Sequence, residues 1–202
     1  MKSFSDFAIP VGNIIGFGSD GCGTMMGAKQ YVSSSYKAAC PGIYIMKHCH
    51  SAHLCASEAC KQLPQSIEEL ARDVHNTLKH SSKRMAQFCE FQEFAGVESL
   101  RILSPLRTRW LSYSAVTKRM LEQWGAQQLF FTELHHQQNK SYSHAVKNAY
   151  ELLHDPFVRL HYCFLESVLP KFIHLNLLFQ SEKVVINALH SQVCSLYKDV
   201  YC

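Results

Sequence analysis

Hydrophobic positions along this chain follow two rhythms, and the change falls near Pro64. Before it, apolar runs are short and bounded by glycine, proline and small polar residues. Ile14-Ile15-Gly16-Phe17-Gly18-Ser19 is one run and Ile43-Tyr44-Ile45-Met46 is another. Short runs rich in β-branched and aromatic residues, set off by turns such as Pro41-Gly42, predict buried strands. Gly21 and Gly23 lead from the first run into a predicted helix over residues 24–37. The stretch 47–60 reads as helix after its first few residues. Beyond Pro64, Leu70, Val74 and Leu78 recur every four residues, the spacing of one helix face. Ser66 with Glu69 three positions on has the form of a capping box and predicts this helix's N-cap. Further helices are predicted over residues 82–94, 113–134, 141–153, 156–179 and 182–201, with Pro170 a candidate break. Asn139-Lys140-Ser141 and Asp155-Pro156 read as breaks between helices. After about residue 65 the pattern predicts no strand and no internal repeat.

Composition fits a globular chain. Of 202 residues, 47% are hydrophobic and 18% charged, enough to bury a core. The formal net charge of +4 permits an anionic partner without requiring one. Nine cysteines, an odd number at irregular spacing, argue against a disulfide framework. Met1-Lys2-Ser3-Phe4-Ser5-Asp6 is polar, and no apolar signal region follows it. Reduced thiols, and a nuclear or cytoplasmic location, are the expectation. No segment approaches the roughly 18 apolar residues that span a bilayer, so no membrane partner is expected.

Candidate chemistry is concentrated at three places. Asp20 ends the first apolar run, and an unpaired carboxylate there is costly to desolvate. It is either one oxygen ligand of a divalent metal or a turn residue whose side chain caps its own backbone. His48, Cys49, His50, His53, Cys55 and Cys60 crowd one stretch. Cys49, His50 and His53 are the metal candidates, but zinc sites usually draw on two spaced pairs and no second pair is evident. Arg107-Thr108-Arg109-Trp110 sets two guanidinium groups beside an indole. That arrangement can contact phosphates and stack on bases, or it can be helix-start packing with Trp110 in the core. The remaining histidines, His135, His136, His144, His154, His161 and His174, show no ligand spacing and read as helix-surface or partly buried. No nucleophile elbow, phosphate-binding P-loop or dinucleotide fingerprint is present.

These features together resemble the hAT superfamily of transposases, in particular domesticated, zinc-finger-protein-like members. The resemblance covers nearly the whole chain. Gly16-Phe17-Gly18-Ser19-Asp20-Gly21 with Met25-Met26-Gly27 resembles the segment carrying the second catalytic aspartate of the family's ribonuclease-H-like core. His50-Ser51-Ala52-His53-Leu54-Cys55-Ala56-Ser57-Glu58-Ala59-Cys60 resembles its Cys/His motif and the following helix. Thr108-Arg109-Trp110-Leu111-Ser112 is similar to its Thr-Arg-Trp-Leu-Ser motif. Leu175-Asn176-Leu177-Leu178-Phe179-Gln180-Ser181-Glu182 is similar to a late helical segment. The motif departs at Lys47, where the family has a cysteine. The family's first aspartate lies upstream of the segment matching Ile14 to Asp20, and its glutamate lies beyond the helical insertion.

The resemblance implies an α/β fragment of a ribonuclease-H-like core, residues 1–62, followed by an α-helical insertion domain, residues 63–202. It implies a truncated, non-catalytic chain. Two-metal phosphoryl chemistry holds its ions roughly 4 Å apart between several carboxylates. Asp20 alone cannot do this, so it is expected to be an inactive remnant with no cofactor; Mg²⁺ would belong to an intact site. Lys47 in a ligand position implies no structural zinc. The expected roles are weak, sequence-independent DNA binding led by Arg107 and Arg109, or protein–protein interaction through the helical part. Active transposition or strand cleavage is the least expected.

Overall fold

Both rhythms become the kinds of element they predict, but the strands expected to be buried are not: Gly16 and Gly18 are exposed and Tyr44 is 77% exposed, because the sheet has only two strands among the described residues. The structure, a computed structural model, describes residues 6–19, 23–26, 31–47, 55, 58–59, 61–105, 113–137, 143–180 and 186–201. The chain forms two compact units: Met1–Cys55 with His174–Lys198, and Ala56–Ile173 with Asp199–Cys202. Described residues are predominantly helical, with one two-stranded parallel sheet.

In the first unit, β1 (Gly16–Ser19) pairs with β2 (Tyr44–Lys47) in parallel, Gly16 opposite Tyr44 and Ser19 opposite Lys47. Parallel strands need a crossover, and helices α1 (Gly23–Met26) and α2 (Val32–Ala39) lie between them. The single helix expected over 24–37 is therefore two, and α2 begins only at Val32. Phe17 on β1 stacks on Tyr36 of α2 with ring centroids 4.9 Å apart. The Cys40 thiol donates to the Val11 carbonyl at 3.0 Å, closing the end of α2 onto the segment before β1. Helix α9 (Leu189–Tyr201), as far as Lys198, also belongs to this unit.

The second unit is built from α3 (Ser66–Lys79), α4 (Ser82–Phe94), α5 (Tyr113–Glu122), α6 (Trp124–Gln137), α7 (His144–His154) and α8 (Pro156–Gln180) as far as Ile173. Among described residues no strand follows Lys47. The four-residue rhythm of α3 is its buried face: Ile67, Leu70, Val74 and Leu78 are at most 2% exposed. Helix α3 packs on α7 and α4, and α6 packs on α7 and α4. At the centre, the Phe130 ring meets Phe88, Phe91 and Phe131 edge-on at centroid distances of 5.3 to 6.0 Å. Such edge-to-face pairs add to the stabilisation from area burial. A hydrogen bond of 2.7 Å from Asn148 to the Asp73 carboxylate ties α7 to α3.

Local chemistry explains where the helix ends fall. Ser66 is not the N-cap. Gln65 takes that place in a helical conformation (φ −58°, ψ −27°) with no side-chain cap bond, and Ser66 is the first helical residue. Pro64 pre-sets the turn, and the Ile67 N–H reaches its carbonyl at 3.1 Å. The helical path thus starts before Ser66, whose hydroxyl is no longer where a cap is needed. At the α7–α8 junction the Asp155 carboxylate accepts from the Phe157 N–H at 2.8 Å, with Pro156 opening α8. Asp as N-cap and Pro as first helical residue are a favoured pair. The 113–134 helix is α5 and α6 in close succession, with the Gln123 N–H bonded to Arg119 O and the Gln127 N–H to Gln123 O. Helix α8 runs through Pro170 without a break. An interior proline costs roughly 3 kcal/mol, which the burial of Leu165 and Leu169 on that helix offsets. No described helix is long and apolar enough to cross a membrane.

Two phenols fix α5 and α8 to the start of α3. Tyr162 donates to the Ile67 carbonyl at 2.8 Å, Tyr113 donates to the same oxygen at 3.0 Å, and both rings are buried. Burial, reinforced by the neighbouring Tyr113, pushes the Tyr162 phenol well above its ordinary range. The folded chain therefore keeps a proton that the unfolded chain releases above about pH 10. Stability from this group is complete below that pH and declines above it, by up to about 1.4 kcal/mol per pH unit. Tyr162→Phe is expected to cost about 1 kcal/mol near neutrality, since Tyr113 still serves Ile67 O. It should also flatten the alkaline decline. Urea unfolding of both proteins at stepped pH measures this, and an unchanged alkaline slope contradicts it.

Candidate functional site

The last turn of α3, the first turn of α4 and the segment after α4 enclose a cleft of about 510 Å³. Its deeper wall is apolar: buried Leu78 and half-buried Met85 and Ile102. Its outer wall carries His75, Lys79, Ser82 and Arg101, of which all but His75 are exposed. His75 and Lys79 stand four residues apart on α3, so they share a face. Among the described residues no carboxylate lines the cleft. Elsewhere in this unit Arg72 pairs with Glu68, Lys118 and Arg119 with Glu122, and Lys147 with Glu151, while Lys83 and Arg159 are exposed with no ion pair among the described residues. Among the described residues no ion pair involves His75, Lys79 or Arg101. The result is a concentrated positive rim over an apolar base, a combination suited to an anionic group attached to an apolar body.

Each wall is held by groups the sequence supplies locally. At the α3–α4 corner Ser81 is the N-cap of α4, its hydroxyl accepting from the Arg84 N–H at 3.3 Å. The Arg84 guanidinium reaches back to the Thr77 carbonyl at 3.4 Å, in the last turn of α3. Helix α4 ends at Phe94 with Ala95 as C-cap, and Gly96 follows with φ +67°. The Gly96 N–H bonds to Glu93 O and the Val97 N–H to Gln92 O, both at 3.0 Å. This is a Schellman closure, whose left-handed residue is most cheaply a glycine. It reverses the chain and sends residues 97–102 back towards α4.

Three buried or half-buried side chains then hold that segment by its carbonyls. Gln92 Nε2 donates to Leu100 O at 2.8 Å and to Gln123 Oε1 at 2.7 Å. Gln123 Nε2 donates to Glu98 O at 3.0 Å. Ser99 donates to Gln92 Oε1 at 3.2 Å. Arg119 Nη1 donates to the Arg101 carbonyl at 2.6 Å while its Nε meets Glu122 at 3.2 Å. Every donor and acceptor of the Gln92 amide is engaged except its spare lone pair. Arg101 is therefore presented to the cleft by a fixed backbone.

The structure does not describe the residues singled out in the sequence for their chemistry. Asp20, Cys49, His50, His53, Arg107, Arg109 and Trp110 fall outside the described residues. Among described residues no group of three or more His, Cys, Asp or Glu side chains is placed to hold a metal ion. His136, His144, His154 and His174 are exposed, and His135 and His161 are half-buried, as their spacing suggested. His135 stacks on Tyr150 at 4.3 Å, and Tyr150 lies 4.6 Å from the His154 ring. The cleft residues were not singled out. Their one local signal is the His75–Lys79 spacing on a strongly amphipathic helix; Arg101 sits in a segment with no period at all. No protein-family model matches the chain, and neither does any curated protein or solved structure.

The amide pair makes a prediction. Gln123→Leu leaves one Gln92 N–H buried without a partner and takes the donor from the partly buried Glu98 carbonyl, and should cost about 2–4 kcal/mol. Arg119→Met removes a partly exposed contact and should cost about 1 kcal/mol or less. Chemical denaturation of the two variants checks the order; equal losses would mean that the buried amides do not carry the segment.

Proposed function

We propose that this chain is a non-catalytic, transposase-derived protein of hAT type that binds nucleic acid through its helical unit and works in the nucleus, associated with chromatin. In this reading the unit that carries β1 and β2 belongs to a ribonuclease-H-like core, and the helical unit is the insertion domain. Asp20 is the remnant of an acidic site, with no cofactor of its own. The observation that carries the binding role is the cleft: Lys79, Arg101 and His75 converge with no carboxylate among the described lining residues. Arg107 and Arg109 follow Arg101 in the sequence, so three arginines fall within nine residues. Phosphate contacts of this kind position a nucleic acid without reading its sequence. With a net charge of only +4, the binding is weak and salt-sensitive.

A second reading, a protein–protein interaction module, is favoured by one observation. Phe157, Leu160 and Phe164 on α8 are 69%, 63% and 51% exposed and fall on one helical stripe. Apolar stripes left on the surface often mark partner sites.

Fluorescence anisotropy on a labelled duplex across a salt series separates the two. Lys79→Ala with Arg101→Ala is expected to lower the slope of log K against log salt by about 2, one per lost phosphate contact. Arg107→Ala with Arg109→Ala is expected to act in the same direction. Unchanged slopes in both double variants would leave the arginines structural and make the protein-interaction reading the better one.

A further inference from the structure

The cleft has a feature that phosphate contact alone does not use. Its base is Leu78, Met85 and Ile102, with Met85 and Ile102 left half-buried by the protein's own packing. A double helix offers a site of this size its sugar–phosphate backbone and the edges of its bases, while the apolar base faces are stacked inside. Cations on the rim would be satisfied and the apolar base would remain wet. A single strand offers both chemistries on one unit, a phosphate and an unpaired base with two apolar faces. A cleft of about 510 Å³ lies in the range that encloses small ligands and can take one nucleotide. Resting on the nucleic-acid reading above, we infer that the cleft holds a single unpaired nucleotide, its phosphate on Lys79 and Arg101 and its base against Met85 and Ile102. The chain then prefers single-stranded to duplex nucleic acid.

Electrostatics makes this preference diagnostic. A duplex carries the higher charge density and releases more counterions per contact than a single strand. A site that works by charge alone therefore favours duplex. Preference for the single strand must come from contacts to the base, here through aliphatic side chains and so with little dependence on base identity. The Gln92–Gln123 pair and the Arg119 contact hold Ile102 and Arg101 in adjacent positions on one fixed segment, so the apolar and cationic contacts are made together.

The chain is titrated against three labelled probes of equal length at about physiological ionic strength: a mixed-sequence single strand, its duplex, and a single strand of abasic residues. The single strand is expected to bind about tenfold tighter than the duplex, the scale of covering the exposed apolar base. The abasic strand should lose that advantage. Met85→Gln, neutral and similar in length, should lower single-strand affinity about tenfold and leave duplex affinity unchanged. Equal or tighter binding of duplex, or an abasic strand that binds as well as the natural one, overturns the inference. In that case a salt slope that still depends on Lys79 and Arg101 leaves the broader reading standing. No binding to any probe removes both. The abasic comparison uses the unmodified protein, so the test holds even if Met85→Gln folds poorly.

Discussion

The Gln92–Gln123 amide pair is the interaction on which the helical unit's surface depends. Two primary amides meet at 2.7 Å in an interior position where each is 1% exposed. A buried amide is tolerable only when its hydrogen bonds are made. Here they are made to the carbonyls of Glu98 and Leu100, which belong to an irregular stretch with no ladder of its own. The helices thereby supply the donors that this stretch lacks, and the stretch supplies the acceptors that the two glutamines need. Gly96 turns the chain into range, and Arg119 fixes the next carbonyl outwards. Removing either glutamine strands groups on both sides, so the arrangement is close to all-or-none. The cleft, Arg101 and Ile102 follow from it.

A similar device operates at the other end of α3. Tyr113 and Tyr162, far apart in sequence, share the Ile67 carbonyl and so bring α5 and α8 to the same turn. Apolar packing around Phe130 supplies the bulk of the cohesion, but packing of this kind tolerates sliding. Directional bonds to a single carbonyl do not. The unit therefore combines a generic aromatic core with a few polar contacts that specify its register. The first unit is different. Its described buried side chains are few, among them Ser33, Cys40 and Ile43, while Ile15 just before β1 and Tyr44 in β2 are 80% and 77% exposed.

What could be read from the sequence was what periodicity and turn chemistry encode. The apolar runs around Phe17 and Ile45 gave the paired strands. The helix over residues 82–94 is α4 with the same bounds, because Ser81 and Gly96 are unambiguous end signals. Ser66 misled because Pro64 already starts the turn that a capping box would otherwise start. The helix expected over 24–37 divides into α1 and α2, a division its run of Ser33-Ser34-Ser35 and glycines did not disclose. The cleft was illegible for a different reason. Lys79 on a helix surface looks like any solvated lysine, and Gln92 and Gln123 look like exposed amides. Nothing local pairs residue 92 with residue 123, or aims Arg101 at α3; only the folded arrangement does.

The central claim is that a buried amide pair positions a cationic residue for an anionic ligand. A double-mutant cycle between Gln123 and Arg101, read as affinity for a labelled single-stranded oligonucleotide, tests it most directly. If Gln123 acts by presenting Arg101, then Gln123→Leu and Arg101→Ala are strongly non-additive, with a coupling of about 0.5–3 kcal/mol, and Arg101→Ala does little once Gln123 is gone. Purely additive losses, in proteins shown by circular dichroism to remain folded, would contradict the account and separate the amide pair from the cleft.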